Sequence, residues 1–301
     1  LFFSKPAPSG QREDPLRFLS REAVFIDRKK LFKQYLSNVQ TNLFVADISK
    51  VSPDWGNPSF IPDAHKFYFF MEGEGWIRIN GAEYSPKPGQ LFLIPEGVRQ
   101  AHGTVSDNTF RMYWCHFSAG VSDLNVLQAL EKPDCIDVDE LDKVERLFKD
   151  LIHYHRSDDL LAGWRVNSIL LELLCYYFER SGIRRVNLAG SATHQAVETV
   201  VRYMEEHLSE PLSVKDLAKQ VHLNPNYFSQ LFRNMLGLSP IHYLNRMRME
   251  EAKTLLAGTE LTVSEIAAKV GIELHYFSRM FRMQEGHSPS EYRKMKISEE
   301  V

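Results

Sequence analysis

The sequence predicts an α+β, multidomain chain. An N-terminal antiparallel β-barrel with appended helices is followed by an all-α region with two helix-turn-helix units joined by a long helix. Three observations predict it. Short aromatic and β-branched segments crowd residues 43–117, the apolar period turns helical after about residue 120, and one long stretch near the C-terminus is written twice without a gap.

The size and composition suit such a chain. Its 301 residues are enough for two or three domains, and 44% hydrophobic with 25% charged residues is ordinary for a globular protein. No apolar run approaches the ~18 residues that span a bilayer, and the start LFFSKPAPSG lacks the pattern of a signal peptide. Cys115, Cys135 and Cys175 are odd in number and form no CxxC pair, which argues against a disulfide framework or thiolate zinc site and fits a reducing, cytoplasmic setting. A formal net charge of -3 offers no global attraction for nucleic acid, so any such role needs locally clustered charge.

LFVADI, KFYFFM, GWIRI, QLFLI and FRMYWCHF read as strands, separated by EGEG, NGAE, KPG and PEG. Asn80-Gly81 predicts a type I′ hairpin, since both central positions need positive φ. Short strands with regular turns predict an antiparallel sandwich or barrel over residues 21–130. Residues 1–20 are an arm or disordered.

Helical stripes follow. Leu141, Val144, Leu147, Phe148 and Leu151 form one, and Val166, Ile169, Leu170, Leu173, Leu174 and Tyr177 form another. These helices, within 131–182, either pack on the barrel and each other or form a dimer interface. GIRRVNLAGSAT breaks the pattern and predicts a linker at 183–193, leaving 194–301 as a helical domain.

The repeat has a constant offset of 49 residues: LSVKDLAKQVHLNPNYFSQLFRNMLGLSPIHY falls on LTVSEIAAKVGIELHYFSRMFRMQEGHSPSEY. Such a match implies one folding unit used twice, at 212–234 and 261–283. Ser213 with Asp216, and Thr262 with Glu265, have capping-box spacing. Each opens a short helix: Val214, Leu217, Ala218 and Val221 line the first, and Val263, Ile266, Ala267 and Val270 the second. A tight turn holding His222 or Gly271 precedes a second helix, which Asn224-Pro225 caps in the first copy. Between the copies Ser239-Pro240 starts a helix of roughly 17 residues, about 26 Å long, against about 34 Å for one turn of duplex.

In NYFSQLFR, Tyr227, Phe228, Leu231 and Phe232 are expected to be buried. Asn226, Ser229, Gln230 and Arg233 then form the outward row, matched by His275, Ser278, Arg279 and Arg282 in HYFSRMFR. Neither row contains an acid, which suits base edges and phosphates in a major groove. From Ala192 to Val301 there are 13 Lys/Arg and 14 Asp/Glu, so attraction must be local. Arg233, Arg246 and Arg248 lie in an acid-free stretch, as do Arg279 and Arg282, with Arg293, Lys294 and Lys296 beyond. This distribution predicts a one-sided positive face and salt-sensitive binding.

Residues 196–295 resemble the DNA-binding domain of the AraC family of bacterial transcription regulators. The resemblance rests on IAAKVGIELHYFSRMFRMQEGHSPSEYRK, with its Ala-x-x-x-Gly step, YFSR-x-F and Gly-x-SP-x-x-YR. It implies that the second helix of each unit reads DNA, through Asn226, Ser229 and Gln230, then His275, Ser278 and Arg279. Arg233 and Arg282 fall to phosphates or the fold. His222, opposite Gly271, departs from the pattern and implies a slightly strained first turn.

HKFYFFMEGEGWIRINGAEYSPKPGQLFLIP with MYWCHF resembles the cupin-like, jelly-roll-type sensor domain of sugar-responsive AraC members, which implies a small-molecule effector, commonly a sugar. The candidate ligand residues are His65, Arg78, His102, Met112, Trp114 and His116. Met112, Trp114 and His116 share a strand face by period two. The alternative is a metal-dependent cupin enzyme with an accessory helical domain. Phe67 and Gln100 replace two of the expected metal-binding histidines, although Glu72, His102 and His116 remain as a possible cluster. A DNA-repair methyl acceptor would need an activated cysteine, and Cys115 has no evident activating partner. The reading is therefore a regulator and not an enzyme, with no cofactor or metal. Its partners are double-stranded operator DNA, a small-molecule effector, a second copy in a homodimer and, where it activates, RNA polymerase. The effector would alter how the helices and linker present the DNA-reading units.

Overall fold

The computed structural model describes residues 28–122, 124–183, 185–186 and 191–299. The arm expected at 1–20 and part of the expected linker lie outside them. The chain divides into two compact units, one holding residues 35–197 with 230–237 and the other residues 198–229 and 238–299 with 28–34.

Helix α1 (Arg28–Ser37) leads into β1 (Gln40–Lys50). The strands β2 (Gly56–Phe60), β3 (His65–Glu72), β4 (Gly75–Ile79), β5 (Ala82–Tyr84), β6 (Gln90–Ile94), β7 (Gln100–Thr104) and β8 (Arg111–Gly120) follow. A short α2 (Val126–Ala129), β9 (Leu130–Glu131) and β10 (Cys135–Asp137) complete this part. Two antiparallel sheets result, ordered β1-β8-β3-β6-β10 and β2-β7-β4-β5. Asn80 and Gly81 both have positive φ, 49° and 89°, and close the β4–β5 hairpin.

Strand β3 is central to the larger sheet, paired with β8 on one side and β6 on the other. Its sequence HKFYFFME is almost continuously apolar because both of its faces are covered. Tyr68 and Phe70 join Ile77, Ile79, Phe92, Ile94, Phe110 and Met112 in a core between the sheets. Phe67 and Phe69 face the other way, into a second core with α3 (Leu141–His155) and α4 (Ala162–Ser181). There Phe148 stacks on Phe69 and Tyr113, at 6.1 and 5.7 Å between centroids. Each such ring contributes roughly 1.5–3 kcal/mol by burial. The stripes Val144–Leu151 and Val166–Tyr177 are thus used in packing on the sheet. Strand β11 (Arg185–Val186), inside the expected linker, pairs with β9.

The C-terminal region is helical: α5 (Ala192–Glu206), α6 (Val214–Lys219), α7 (Pro225–Leu236), α8 (Pro240–Gly258), α9 (Val263–Lys269), α10 (Leu274–Glu285) and α11 (Pro289–Glu299). The repeat is visible in the backbone. Both capping boxes form, Ser213 with Asp216 and Thr262 with Glu265. Gly237 and Gly286 end α7 and α10 at φ 75° and 78°, and Ser239 caps the helix that starts at Pro240. Helix α8, with 19 residues, is about 28 Å long. Behind α10, Phe277, Met280 and Phe281 pack with Met249, Ala252, Leu256, Ile266 and Val270.

The two turns share a left-handed residue, His222 at φ 54° and Gly271 at φ 68°. A Cβ at Gly271 would meet the Ser209 carbonyl oxygen at 2.2 Å, so glycine is required by space as well as by φ. His222 has no such relief from strain. The two sites therefore respond oppositely in urea unfolding. His222→Gly stabilises by roughly 0.5 kcal/mol, strain relief outweighing glycine entropy, whereas Gly271→Ala destabilises by about 3 kcal/mol.

Candidate functional site

The side chains between the two sheets follow from alternation along β3, β7 and β8. On β3, Lys66 and Tyr68 point inward. On β8, Trp114 lies opposite Tyr68 and His116 opposite Lys66. On β7, His102 lies opposite Ile77, and Gln100 opposite Ile79. Phe60 pairs with Gln100 across β2 and β7. Three of the predicted residues, His102, Trp114 and His116, are brought together here.

The walls are aromatic. His102 stacks on Trp55 at 4.0 Å and meets Phe60 edge-on at 5.5 Å. Trp114 lies 5.1 Å from His116, and its Nε1–H donates to Ser49 Oγ at 3.0 Å, which fixes the indole plane. The Lys66 ammonium sits 4.4 Å from the Phe60 centroid. Burial lowers the pKa values of His102 and His116 to about 4, with a further push from the Lys66 charge. Burial also lowers Lys66 to about 8, against a small opposing pull from Asp63. The site holds two neutral imidazoles and one partly desolvated cation at neutral pH.

Three other predicted ligand residues fall elsewhere. His65 is buried on the opposite face of β3, tilted against Phe117, and its Nδ1 accepts from the Glu96 N–H at 2.9 Å. Arg78 is on the outer face of β4, ion-paired with Glu83 and lying over Trp76. Both corrections have one cause: period two sends neighbouring residues to opposite faces. Met112 does face inward, but as part of the apolar core. Lys66 was missed by sequence reasoning. Its signal was a lone cation inside an apolar run, HKFYFFM.

The histidines do not form a metal cluster with Glu72, which is exposed and ion-paired with Arg111 at 3.0 Å. Among the described residues no group of three or more His, Cys, Asp or Glu side chains is placed to hold a metal ion. Burial pushes the Cys115 thiol up to about 12, so it is a poor nucleophile.

The helical unit presents a second candidate site. On α7, Asn226, Gln230 and Arg233 are exposed and Ser229 is half-buried. On α10, His275, Arg279 and Arg282 are exposed and Ser278 is half-buried. Tyr227, expected inside, is 56% exposed, and its counterpart Tyr276 is 45% exposed. Phe228 and Phe277 take the buried positions, which turns the preceding tyrosine about 100° away. Arg279 lies over the Tyr276 ring at 5.5 Å. The helix N-termini differ. Asn224 Oδ1 accepts from Asn226 N–H at 2.9 Å, whereas the Glu273 carboxylate accepts from His275 and Tyr276.

Two arginines leave the expected positive face. Arg248 is 8% exposed, and its guanidinium donates to the Leu208 and Glu210 carbonyls. Arg293 does the same for Leu256 and Leu261. Each ties down the segment that follows a helix. Arg233, Arg246, Arg279 and Arg282 remain exposed.

Comparison with known proteins agrees with this division. Residues 53–174 match the family model described as the AraC-like ligand binding domain, and residues 217–295 match a helix-turn-helix domain. The chain belongs to the AraC family of transcription regulators. It is 29% identical over 211 residues to the uncharacterized HTH-type transcriptional regulator YisR of Bacillus subtilis, covering 64% of this chain and 71% of that one. It is 27% identical over 210 residues to the raffinose operon transcriptional regulatory protein RafR of Pediococcus pentosaceus, covering 65% and 72%. With the arabinose operon regulatory protein of Salmonella typhimurium the identity is 26% over 206 residues, covering 64% and 69%.

This AraC-family chain is thus a DNA-binding transcription regulator whose N-terminal half is of a ligand-binding type. Among the described residues no helix is long and apolar enough to cross a membrane.

The buried histidines make the N-terminal unit acid-labile. His65, His102 and His116 have folded pKa values near 4, below the unfolded value of 6.5. The unfolded chain therefore binds more protons between those values, and stability falls as pH drops from 6.5 towards 4. The helix-capping carboxylates Asp216, Glu265 and Glu273, held low by the capping hydrogen bonds they accept, lose their contribution only below their ordinary values of 3.8–4.5. All four tryptophans, Trp55, Trp76, Trp114 and Trp164, lie in the N-terminal unit. Tryptophan fluorescence melts should show the midpoint falling between pH 6.5 and 4.5, and H102Q/H116Q should flatten that slope.

Proposed function

We propose that this regulator binds operator DNA as a cytoplasmic homodimer under the control of a carbohydrate held between the two sheets of a cupin-like N-terminal domain. RNA polymerase is its further partner where it activates. One observation carries the ligand reading. Flat aromatic surfaces at Trp55 and Trp114 stand beside the neutral hydrogen-bonding rings of His102 and His116. Sugars have apolar C–H faces and a rim of hydroxyls, and this combination of surfaces complements both. The names of the relatives, regulators of raffinose and arabinose operons, point the same way. In this reading His102, Trp114 and His116 contact the ligand, Met112 lies beneath them, and His65 and Arg78 do not take part.

For DNA, Asn226, Ser229 and Gln230 of α7 and His275, Ser278 and Arg279 of α10 are assigned to base edges, with Arg233 and Arg282 on phosphates. Tyr227 and Tyr276 are added as groove-wall contacts on the strength of their exposure. The ligand-sensing domain covers 21–130, its helical extension 131–182 and the DNA-binding domain 194–301. The dimer surface is reassigned. Since the apolar stripes of α3 and α4 are spent on the sheet, it falls to the outer side of α4 and the turn before it, where Leu160 is 96% and Trp164 77% exposed and Leu171 lies two turns beyond Trp164.

Differential scanning fluorimetry against a panel of mono- and oligosaccharides should find one that raises the melting point, because ligand binding to the folded state stabilises it. Trp114→Ala should abolish that shift; an undiminished shift removes Trp114 from the site. In fluorescence anisotropy with operator DNA, Arg279→Ala should cost about 1–3 kcal/mol and relax specificity. Arg233→Ala should weaken all sequences alike and lower the salt slope by about 1.

A further inference from the structure

Lys66 is hard to explain as a structural residue. It is 6% exposed, and lysine is almost never so buried without an ionic partner. Among the described residues its ammonium makes no hydrogen bond or ion pair. The groups near it are the Phe60 ring at 4.4 Å, the Tyr68 ring at 6.0 Å and the neutral imidazoles of His102 and His116. Cation–π attraction is smaller than the cost of desolvating an ammonium. Asp63 attracts it from an exposed turn but does not pair with it.

A second donor nearby is more fully enclosed. Gln100 is 2% exposed, and its buried Nε2 has no partner. It lies opposite Phe60, the ring that Lys66 covers, and two residues before His102 on the same face of β7. The inward surface therefore holds a cation and an amide donor that the protein itself leaves unanswered. Buried polar groups left this way in a native fold point to a ligand.

We propose that the effector carries a carboxylate bound by Lys66 and Gln100, making it an acidic sugar of the uronate or aldonate class. This rests on the carbohydrate reading above and narrows it. Charge selects carboxylate over phosphate. The site supplies one cation, since both histidines are neutral near pH 7, and a phosphate ester would bring -1.5 to -2. A carboxylate brings one charge and oxygens enough for both donors. The Trp114 face is left for the ring.

The test uses the full chain and Lys66→Met, which keeps the length of the stem and removes the charge. Isothermal titration is run with hexuronates and aldonates, the matching neutral hexoses, hexose 6-phosphates and a non-sugar carboxylate, benzoate. The expected result is that one acidic sugar binds the native chain, its neutral counterpart binds roughly 10- to 100-fold more weakly, and Lys66→Met removes the difference. Without ligand, Lys66→Met should melt above the native chain, because an unpaired buried charge is gone. A lower melting point would show a structural role and overturn the assignment. Neutral hexoses binding as tightly as acids, or 6-phosphates binding best, would overturn the carboxylate and leave the carbohydrate reading standing. Benzoate binding that Lys66→Met abolishes, with no sugar bound, would keep Lys66 as the anion site and overturn the sugar. Acid binding unchanged by Lys66→Met would overturn the role of Lys66 alone.

Discussion

The register of β3 is the constraint on which the N-terminal unit depends. This strand is buried on both faces, so every residue from His65 to Phe70 is committed to one of two layers. Odd positions meet the helices and even positions meet the second sheet. Pairing with β8 on one side and β6 on the other holds that assignment. A slip of one residue would carry Lys66 beneath Tyr177 and bring His65 between the sheets, reversing the chemistry of both layers. The site is thus a consequence of strand pairing rather than of a local loop. Lys66, Trp114 and His116 are held on two strands paired to each other.

That dependence explains what was legible in the sequence. The strand-rich and helical halves, the Asn80-Gly81 hairpin and both capping boxes were readable, because each is set by residues within a few positions of one another. The fold class followed from them. Strands β2 and β7 were not read: GNPSF and QAHGT carry no apolar alternation, and they are strands because neighbours pair with them. His102 could therefore be named from sequence but not placed. Arg78 was misjudged because a lone strand shows two faces without saying which is inside. Lys66 was passed over because a lysine in an apolar run reads as a strand edge until the second sheet is seen to cover it.

In the helical unit the repeat shows which features the fold requires and which it tolerates. Left-handed turn residues, capping boxes and glycine ends recur at the same offset, while the residues that fill them differ. Glycine is required at 271 by the Ser209 backbone, whereas the first copy carries histidine at the cost of strain. The arginines that seemed to supply positive charge are divided between two tasks. Arg248 and Arg293 are buried or partly buried and donate to backbone carbonyls at and beyond helix ends, so their charge does structural duty. What remains outside is Arg233 on α7, Arg279 and Arg282 on α10, and Arg246 on α8. A domain with balanced formal charge can still attract phosphates in this way, since screening confines each charge to its neighbourhood, about 8–10 Å.

Strand β8 joins the layer proposed to hold the ligand to the helical layer. Trp114 and His116 face the space between the sheets, while Tyr113, Cys115 and Phe117 face α3 and α4. Phe117 stacks on Phe67 at 5.3 Å and Tyr113 on Phe148 at 5.7 Å, so no gap separates the strand from the helices. Close-packed interiors do not absorb displacement; they pass it on. A ligand that drew Trp114 and His116 inward would shift the intervening residues and load the α3–α4 packing directly. By reciprocity, anything that fixes those helices, including a partner on the outer side of α4, must change ligand affinity by the same factor. The alternation that hides the site in the sequence is also what connects it to the surface where a second copy is proposed to dock.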